Sequence, residues 1–423
     1  MLYFASGGYE MNNNHLERFL RYAKINTRSD INSDAIPSTP SQWEFAEMLV
    51  EELTALGFEA VQLDPRDAYV VAKISSNIEA DSQPPAIGWI AHIDTADYPA
   101  DNINPQVHEN YDGENVLLNQ ETNHWMTTEE FPNLKNYIGE TLITTDGTTL
   151  LGADDKAGMV SIIEAGRYLI EHPEIKHGEL WFAFGPDEEI GKGAHRFETD
   201  KFPAEFAYTA DSGVIGKLEY ETFNAARLTI EIEGTSVHPG QAYGQMVNAL
   251  SIAADIHQLF PKDEVPEKTK GYQGFYMLSN ISGQLDKAQM TYIIRDHDWD
   301  KFEDRKNWIA EQLTQFNQQF DRPRIKYEIQ DQYYNMANKI SKESLPVQLA
   351  IKSYEANGIT PDIQPFRGGT DGCIITYKGI PTPNICTGAE NLHGCYEFVT
   401  VESMEKVTDI ILTIIELSLE KEA

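Results

Sequence analysis

Cysteine is scarce in this chain: Cys373, Cys386 and Cys395 are the only three among 423 residues. An odd, sparse set builds no disulfide framework, which points to a reducing compartment, and the spacing is not that of a zinc-thiolate motif. Cationic charge is scarce as well. The balance of 33 Lys+Arg against 67 Asp+Glu leaves a formal net charge of -34, which repels nucleic-acid backbones and anionic lipid. No apolar run approaches the ~20 residues of a membrane-spanning helix. The N-terminus MLYFASGGYE lacks the basic segment and apolar stretch of a secretory signal. Repeats and low-complexity segments are missing too. A cytoplasmic protein with no nucleic-acid or membrane partner is expected. Residues 1–10 are set aside as a cloning remnant ahead of Met11.

What is present is a chain rich enough in apolar residues (41%) to build cores, and too long for one of them, so two domains are expected. Leu16, Phe19, Leu20 and Ala23 recur with helical period. Trp43, Ala46, Leu49, Val50 and Leu53 do the same after Thr39-Pro40, which with Gln42 resembles a helix cap, and before Gly57. Short apolar runs at 69–74, 87–90, 180–184 and 206–210 read as buried strands, with a helix over 158–170 between them. Later helices are expected at 347–356 and 401–419. This alternation predicts an α/β fold with a mixed sheet and helices on both faces. Between 222 and 333 the pattern becomes strand, helix, two strands, helix, strand, an α+β ferredoxin-like arrangement. The architecture expected is therefore a discontinuous catalytic domain, 11–221 and 334–423, interrupted by an inserted domain, 222–333. The polar stretch 102–137 carries no periodic signal and reads as a long loop.

The chemistry sits at strand ends. IGWI runs into Ala91-His92-Ile93-Asp94, which places an imidazole and a carboxylate on one side of an extended chain, where the acid can orient a metal-ligating His. LGADDKAG at 151–158 puts Asp154 and Asp155 at a helix start. One acid suffices to cap a helix. ELWFAF leads into Asp187-Glu188-Glu189, three like charges that repel unless a cation or a shared proton compensates. EFAYTA ends in Asp211, and Asn391-Leu392-His393-Gly394 offers a second imidazole. Open α/β sheets bind ligands beyond the carboxyl ends of their strands. Carboxylates combined with imidazole suit Zn, Mn or Co, and two histidines with several acids suggest two metals.

The ordered set HIDT, GADDKAG, PDEEIGKG, TADSG, GTSVHPG, RGGTDG and LHGCYEF resembles the co-catalytic two-zinc metallopeptidases, and within them the tripeptide aminopeptidases; carboxypeptidase G-type enzymes and aminoacylases belong to the same family. The matching elements run from about Met11 to Leu419. The resemblance implies a two-zinc aminopeptidase (Mn2+ or Co2+ as alternatives) acting on short peptides, most of all tripeptides. It implies that Asp154 bridges the metals, that His92 and Asp211 complete one site, and that Glu189 and His393 complete the other. Asp94 would orient His92, Glu188 would be the general base, and the Asp154-Asp155 bond would be cis. His238, in GTSVHPG, would stabilise the oxyanion in a partner subunit, which implies a homodimer formed through the inserted domain. Arg295 and Arg367 would hold the peptide carboxylate. A dipeptidase or N-acyl amino acid deacylase is the neighbouring alternative, and a noncatalytic peptide-binding protein the one from another class.

Overall fold

A computed structural model describes residues 14–79 and 84–420; the cloning remnant expected at 1–10 lies outside them. The chain forms two compact units. One comprises residues up to Tyr220 with 339–363 and 370–423, and the other Glu221–Asn338 with 364–369.

The first unit is built on a seven-stranded mixed sheet in the order Glu59–Leu63, Val70–Ile74, Leu180–Gly185, Ile87–His92, Phe206–Ala210, Asn384–Ile385, Leu218–Glu219. Leu180–Gly185, Ile87–His92 and Phe206–Ala210 run parallel and are buried on both faces except at Trp181. Their sequences are accordingly near-continuous apolar runs rather than alternating ones. Trp89 stacks on Tyr208 in this core, ring centroids 5.1 Å apart. Because the three strands are parallel, their carboxyl ends share one edge of the sheet. His92, the acids after Gly185, and Asp211 all arise there. The edge strand Glu59–Leu63 is largely exposed, so it carries no apolar period, and only its pairing with Val70–Ile74 reveals it.

Helix Ala153–Glu171 is buried over nearly its whole length. Gly158 lets it approach the sheet, since a Cβ there would sit 2.3 Å from the Ala210 carbonyl oxygen. The helix Pro40–Leu56 begins after Thr39 and ends at Gly57 (φ 92°), as its sequence signals imply. The cap itself differs from expectation. The Thr39 hydroxyl donates to the Arg28 carbonyl (3.0 Å) and accepts from Gln42 Nε2 (3.0 Å), leaving the helix N–H groups without it. The stretch 102–137 is more ordered than its polarity suggests. It holds a small hairpin, Val116–Asn119 with His124–Met126, and a short 3-10 turn, Pro132–Tyr137, around a core of Val116, Leu118, Met126, Leu134, Tyr137 and Phe398.

The second unit runs Asn224–Glu233, helix Ala249–Leu259, Phe275–Gly283, Lys287–Asp296, helix Trp299–Asn317, Ile325–Tyr333. Its four-stranded antiparallel sheet has the first strand paired with the third and the last, which is the ferredoxin-like order. Among the described residues, no helix is long and apolar enough to cross a membrane.

One buried group gives this fold a pH dependence. His15, on helix Asn14–Ala23, is fully buried, with Nε2 2.8 Å from Thr408 Oγ1 on helix Val401–Leu417. Burial, with Arg18 and Arg167 nearby, pulls its pKa from 6.5 to about 3. A folded pKa below the unfolded one means that the unfolded chain takes the proton more readily. His15 therefore contributes stability above about pH 6.5 and loses it as pH falls toward 3. The stability difference between the protein and its His15→Gln variant should shrink by up to about 1.4 kcal/mol per pH unit below 6.5. Urea unfolding at pH 7 and pH 5 measures this, and an unchanged difference contradicts it.

Candidate active site

His92 closes strand Ile87–His92 with its ring almost fully buried. Its Nε2 lies 3.0 Å from Asp154 Oδ1 and 3.6 Å from Asp211 Oδ1. On the other side of Asp154, Oδ2 is 3.0 Å from His393 Nε2, which is 3.3 Å from Glu189 Oε2. Two three-residue sets result, His92 with Asp154 and Asp211, and Asp154 with Glu189 and His393; in each the ligand atoms lie within 4.8 Å of one another. Asp154 belongs to both and offers one oxygen to each. The five residues are far apart in sequence, and the fold collects them at one point.

The backbone that carries these residues is unusual. Gly152 adopts φ 74°, Asp154 and Asp155 leave helical geometry inside the first turn, and the bond between them is cis. The Asp154 carboxylate faces His92 and His393. His393 and Asn391 have φ 65° and 54°, a conformation that costs non-glycine residues energy and persists only when the surroundings hold it. The 102–137 stretch supplies that hold. Asn133 and Tyr137 donate to the Glu390 carboxylate, His124 Nε2 lies 2.8 Å from the Tyr396 hydroxyl, and Glu390 and Phe398 exchange backbone hydrogen bonds.

The neighbouring acids divide the labour. Asp94 Oδ1 and Oδ2 accept the backbone N–H groups of Glu188 (3.0 Å) and Glu189 (3.2 Å). His92 Nδ1 is closer to the Asp94 carbonyl oxygen (3.0 Å) than to its carboxylate (3.5 Å), so the backbone of Asp94 orients the imidazole as much as its side chain does. Asp187, which sequence reasoning grouped with Glu188 and Glu189, is turned away from them. Its buried carboxylate accepts from Ser38 N–H and Gln42 Nε2. Asp155 accepts the His92 N–H (3.2 Å). Asp371 accepts from the Tyr69 hydroxyl and the Ala194 N–H, and RGGTDG drew attention to its arginine rather than to this acid.

So many carboxylates in one buried place disturb each other. Burial and the Asp211 charge push Glu188 well above the usual carboxylate range, and burial with the Asp154 charge pushes Glu189 to about 7. Burial lifts Asp211 to about 7 as well. Burial opposes a charge on His92, but hydrogen bonds to Asp154, Asp211 and Asp94 outweigh it and raise its pKa; Asp154 and Glu189 raise His393 to about 11. Glu189 Oε1 is buried without a hydrogen-bond partner, which is costly unless something positive meets it. A shared carboxylate, two imidazoles, two further acids and an unsatisfied oxygen fit a pair of divalent cations of the Zn, Mn or Co type.

The other residues singled out in the sequence lie in the second unit. His238 is exposed, its Nδ1 accepting the Gly240 N–H (3.1 Å) at a short 3-10 turn. Arg295 donates to the Ala226 and Ile294 carbonyls and lies 5.3 Å from the Tyr333 ring centroid. Arg367 donates to the carbonyls of Gly271 and Gln273 (both 2.7 Å) and to Thr269 Oγ1, over the rings of Phe223 and Phe275.

Comparison with known proteins places this chain in a class. The model of peptidase family M20/M25/M40 matches residues 144–417, and the chain belongs to that family. In particular it is 54% identical to Peptidase T of Fusobacterium nucleatum over 405 residues, 96% of this chain and 98% of that one. It is 52% identical to Peptidase T of Enterococcus faecalis over 409 residues, 96% and 100% of the two chains. Its fold matches the aminopeptidase PepT of Bacillus cereus with a TM-score of 0.76 at 23% identity, covering 97% of this chain and 100% of that one. It also matches a dinuclear metal-binding M20 peptidase of Bacillus subtilis with a TM-score of 0.63 at 13% identity, over 96% and 97% of the chains.

Proposed function

We propose that this protein is a two-zinc aminopeptidase that removes the N-terminal residue from tripeptides in the cytoplasm. The observation that carries the reading is the meeting of two ligand sets on Asp154, in a chain about half identical to Peptidase T proteins along nearly its full length. His92 and Asp211 would hold one cation, Glu189 and His393 the other, and Asp154 both. When bound, a pair of such cations polarises the scissile carbonyl and lowers the pKa of an attacking water.

The remaining steps belong to protein side chains. Glu188 is in neither ligand set, and its backbone is pinned by Asp94. Its carboxylate takes the proton of the attacking water and passes it to the departing amine. Arg295 and Arg367 would hold the peptide carboxylate by charge-assisted hydrogen bonds, although Arg367 already spends three N–H groups on the protein. The exposed His238 would serve the partner subunit's active site as an oxyanion donor, in a homodimer formed through the second unit.

A series of free di-, tri- and tetrapeptides with acetylated amino acids, run with metal content measured on the same sample, tests the proposal. Free tripeptides should be cleaved fastest by protein carrying two equivalents of metal. Preference for blocked amines would make it a deacylase, and fastest cleavage of dipeptides would make it a dipeptidase.

A further inference from the structure

We infer that Glu397 is a positioning residue for this site: its carboxylate grips the loop that carries Asp154 and ties it to the loop that carries His393. The inference rests on the ligand assignment proposed above.

Glu397 is 1% exposed. Its Oε2 accepts the backbone N–H groups of Leu151 (2.9 Å) and Gly152 (2.8 Å), and its Oε1 accepts that of Asp154 (2.9 Å). Three N–H groups from four consecutive residues are thus satisfied by one side chain 243 to 246 residues away in sequence. These donors precede and open helix Ala153–Glu171, where N–H groups have no partner within the helix. A carboxylate at that end also meets the positive pole of the helix. An ordinary helix cap, however, comes from the residue just before the helix, and here that residue is Gly152, without a side chain. The cap comes instead from the strand-ward end of the loop that presents His393, four residues earlier.

That loop is closed on itself by the Glu397 N–H donating to the Gly394 carbonyl (3.2 Å). Gripping 151–154 from Glu397 therefore fixes the spacing between His393 and Asp154, whose side chains meet at 3.0 Å. Loosening the grip would leave both ligands present but no longer held at one distance. Groups of this kind, which hold metal ligands without touching the metal, typically matter by about 10–100-fold in affinity or activity.

Glu397→Gln separates positioning from bulk. If the amide oxygen takes the place of Oε2 and keeps Leu151 and Gly152, the amide nitrogen must face the Asp154 N–H, donor against donor. Metal-free wild type, Glu397→Gln and Glu164→Gln should be titrated with zinc against a competing chelator, and their metal-free thermal midpoints measured. Glu164 is as deeply buried but pairs with Arg18 and Arg167, away from the ligands. Glu397→Gln should bind the weaker zinc equivalent about 10–100-fold less tightly at a near-native midpoint, and Glu164→Gln should lower the midpoint while keeping wild-type affinity. Wild-type affinity for both equivalents in Glu397→Gln overturns the inference, as does an affinity loss that merely follows the midpoint in both variants. Should Glu397→Gln fail to fold, Glu397→Asp, one methylene too short to span both grips, replaces it with the same criteria. Wild type that takes up no zinc removes the ligand assignment, and the inference with it.

Discussion

Glu188→Gln should lower kcat by about 10²–10⁴-fold, the range typical for loss of a positioned acid-base group, while the protein still binds two equivalents of metal. The separation of effects follows from geometry. Glu188 contributes to neither ligand set, and what fixes its place, its N–H donating to Asp94 Oδ1 at 3.0 Å, is a backbone contact that the substitution leaves alone. Glutamine has nearly the same shape, so the cavity is not disturbed. It cannot take a proton from water at neutral pH. KM should change little, because the lost interaction belongs to the transition state rather than to the bound peptide. Steady-state kinetics with metal analysis on one preparation decides the matter. A kcat within tenfold of wild type would assign the proton transfer to another group, and a lost metal equivalent would make Glu188 a ligand instead.

The largest change in metal content should come from Asp154→Ala. Asp154 is the one residue of the five that serves both sets, with Oδ1 toward His92 and Oδ2 toward His393, each at 3.0 Å. Without it each set falls to two ligands, and a two-ligand site holds zinc poorly against solvent. Asp154→Ala should therefore fall from two equivalents to less than one and show no measurable peptidase activity. His393→Ala, which touches only the second set, should keep about one. Elemental analysis after dialysis reads both. Equal losses in the two variants would mean that the sets are not joined through Asp154.

Several parts of this site were legible in the residues alone because strand ends announce themselves. An apolar run that stops at a His or an Asp places that side chain at the edge of a parallel sheet, and IGWIAHID, LWFAFGPDEE and FAYTAD all do so. The DEE triplet was only partly legible. Three like charges in a row signalled a site, but Asp187 turns instead to Ser38 and Gln42 on and before the helix Pro40–Leu56, a contact across about 145 positions that no local pattern encodes. Glu397 gave no signal for the same reason, since its partners are backbone N–H groups, which every sequence possesses. The stretch 102–137 looked like loop because its strands are only three or four residues long, too short for a period to register.

By itself, then, the order of residues determined the mixed α/β architecture with its ferredoxin-like second unit, the family, and which side chains stand at the carboxyl ends of the strands. Periodicity and strand-end chemistry are local properties, written within a few residues of one another. The family resemblance groups His92, Asp154, Glu189, Asp211 and His393, but only the tertiary structure puts distances on their meeting, has Asp94 grip the backbone of Glu188 and Glu189, and has Glu397 span the loops that carry Asp154 and His393. Those are distances between segments up to some 300 residues apart, and they exist only once the sheet has brought its strand ends to a common edge.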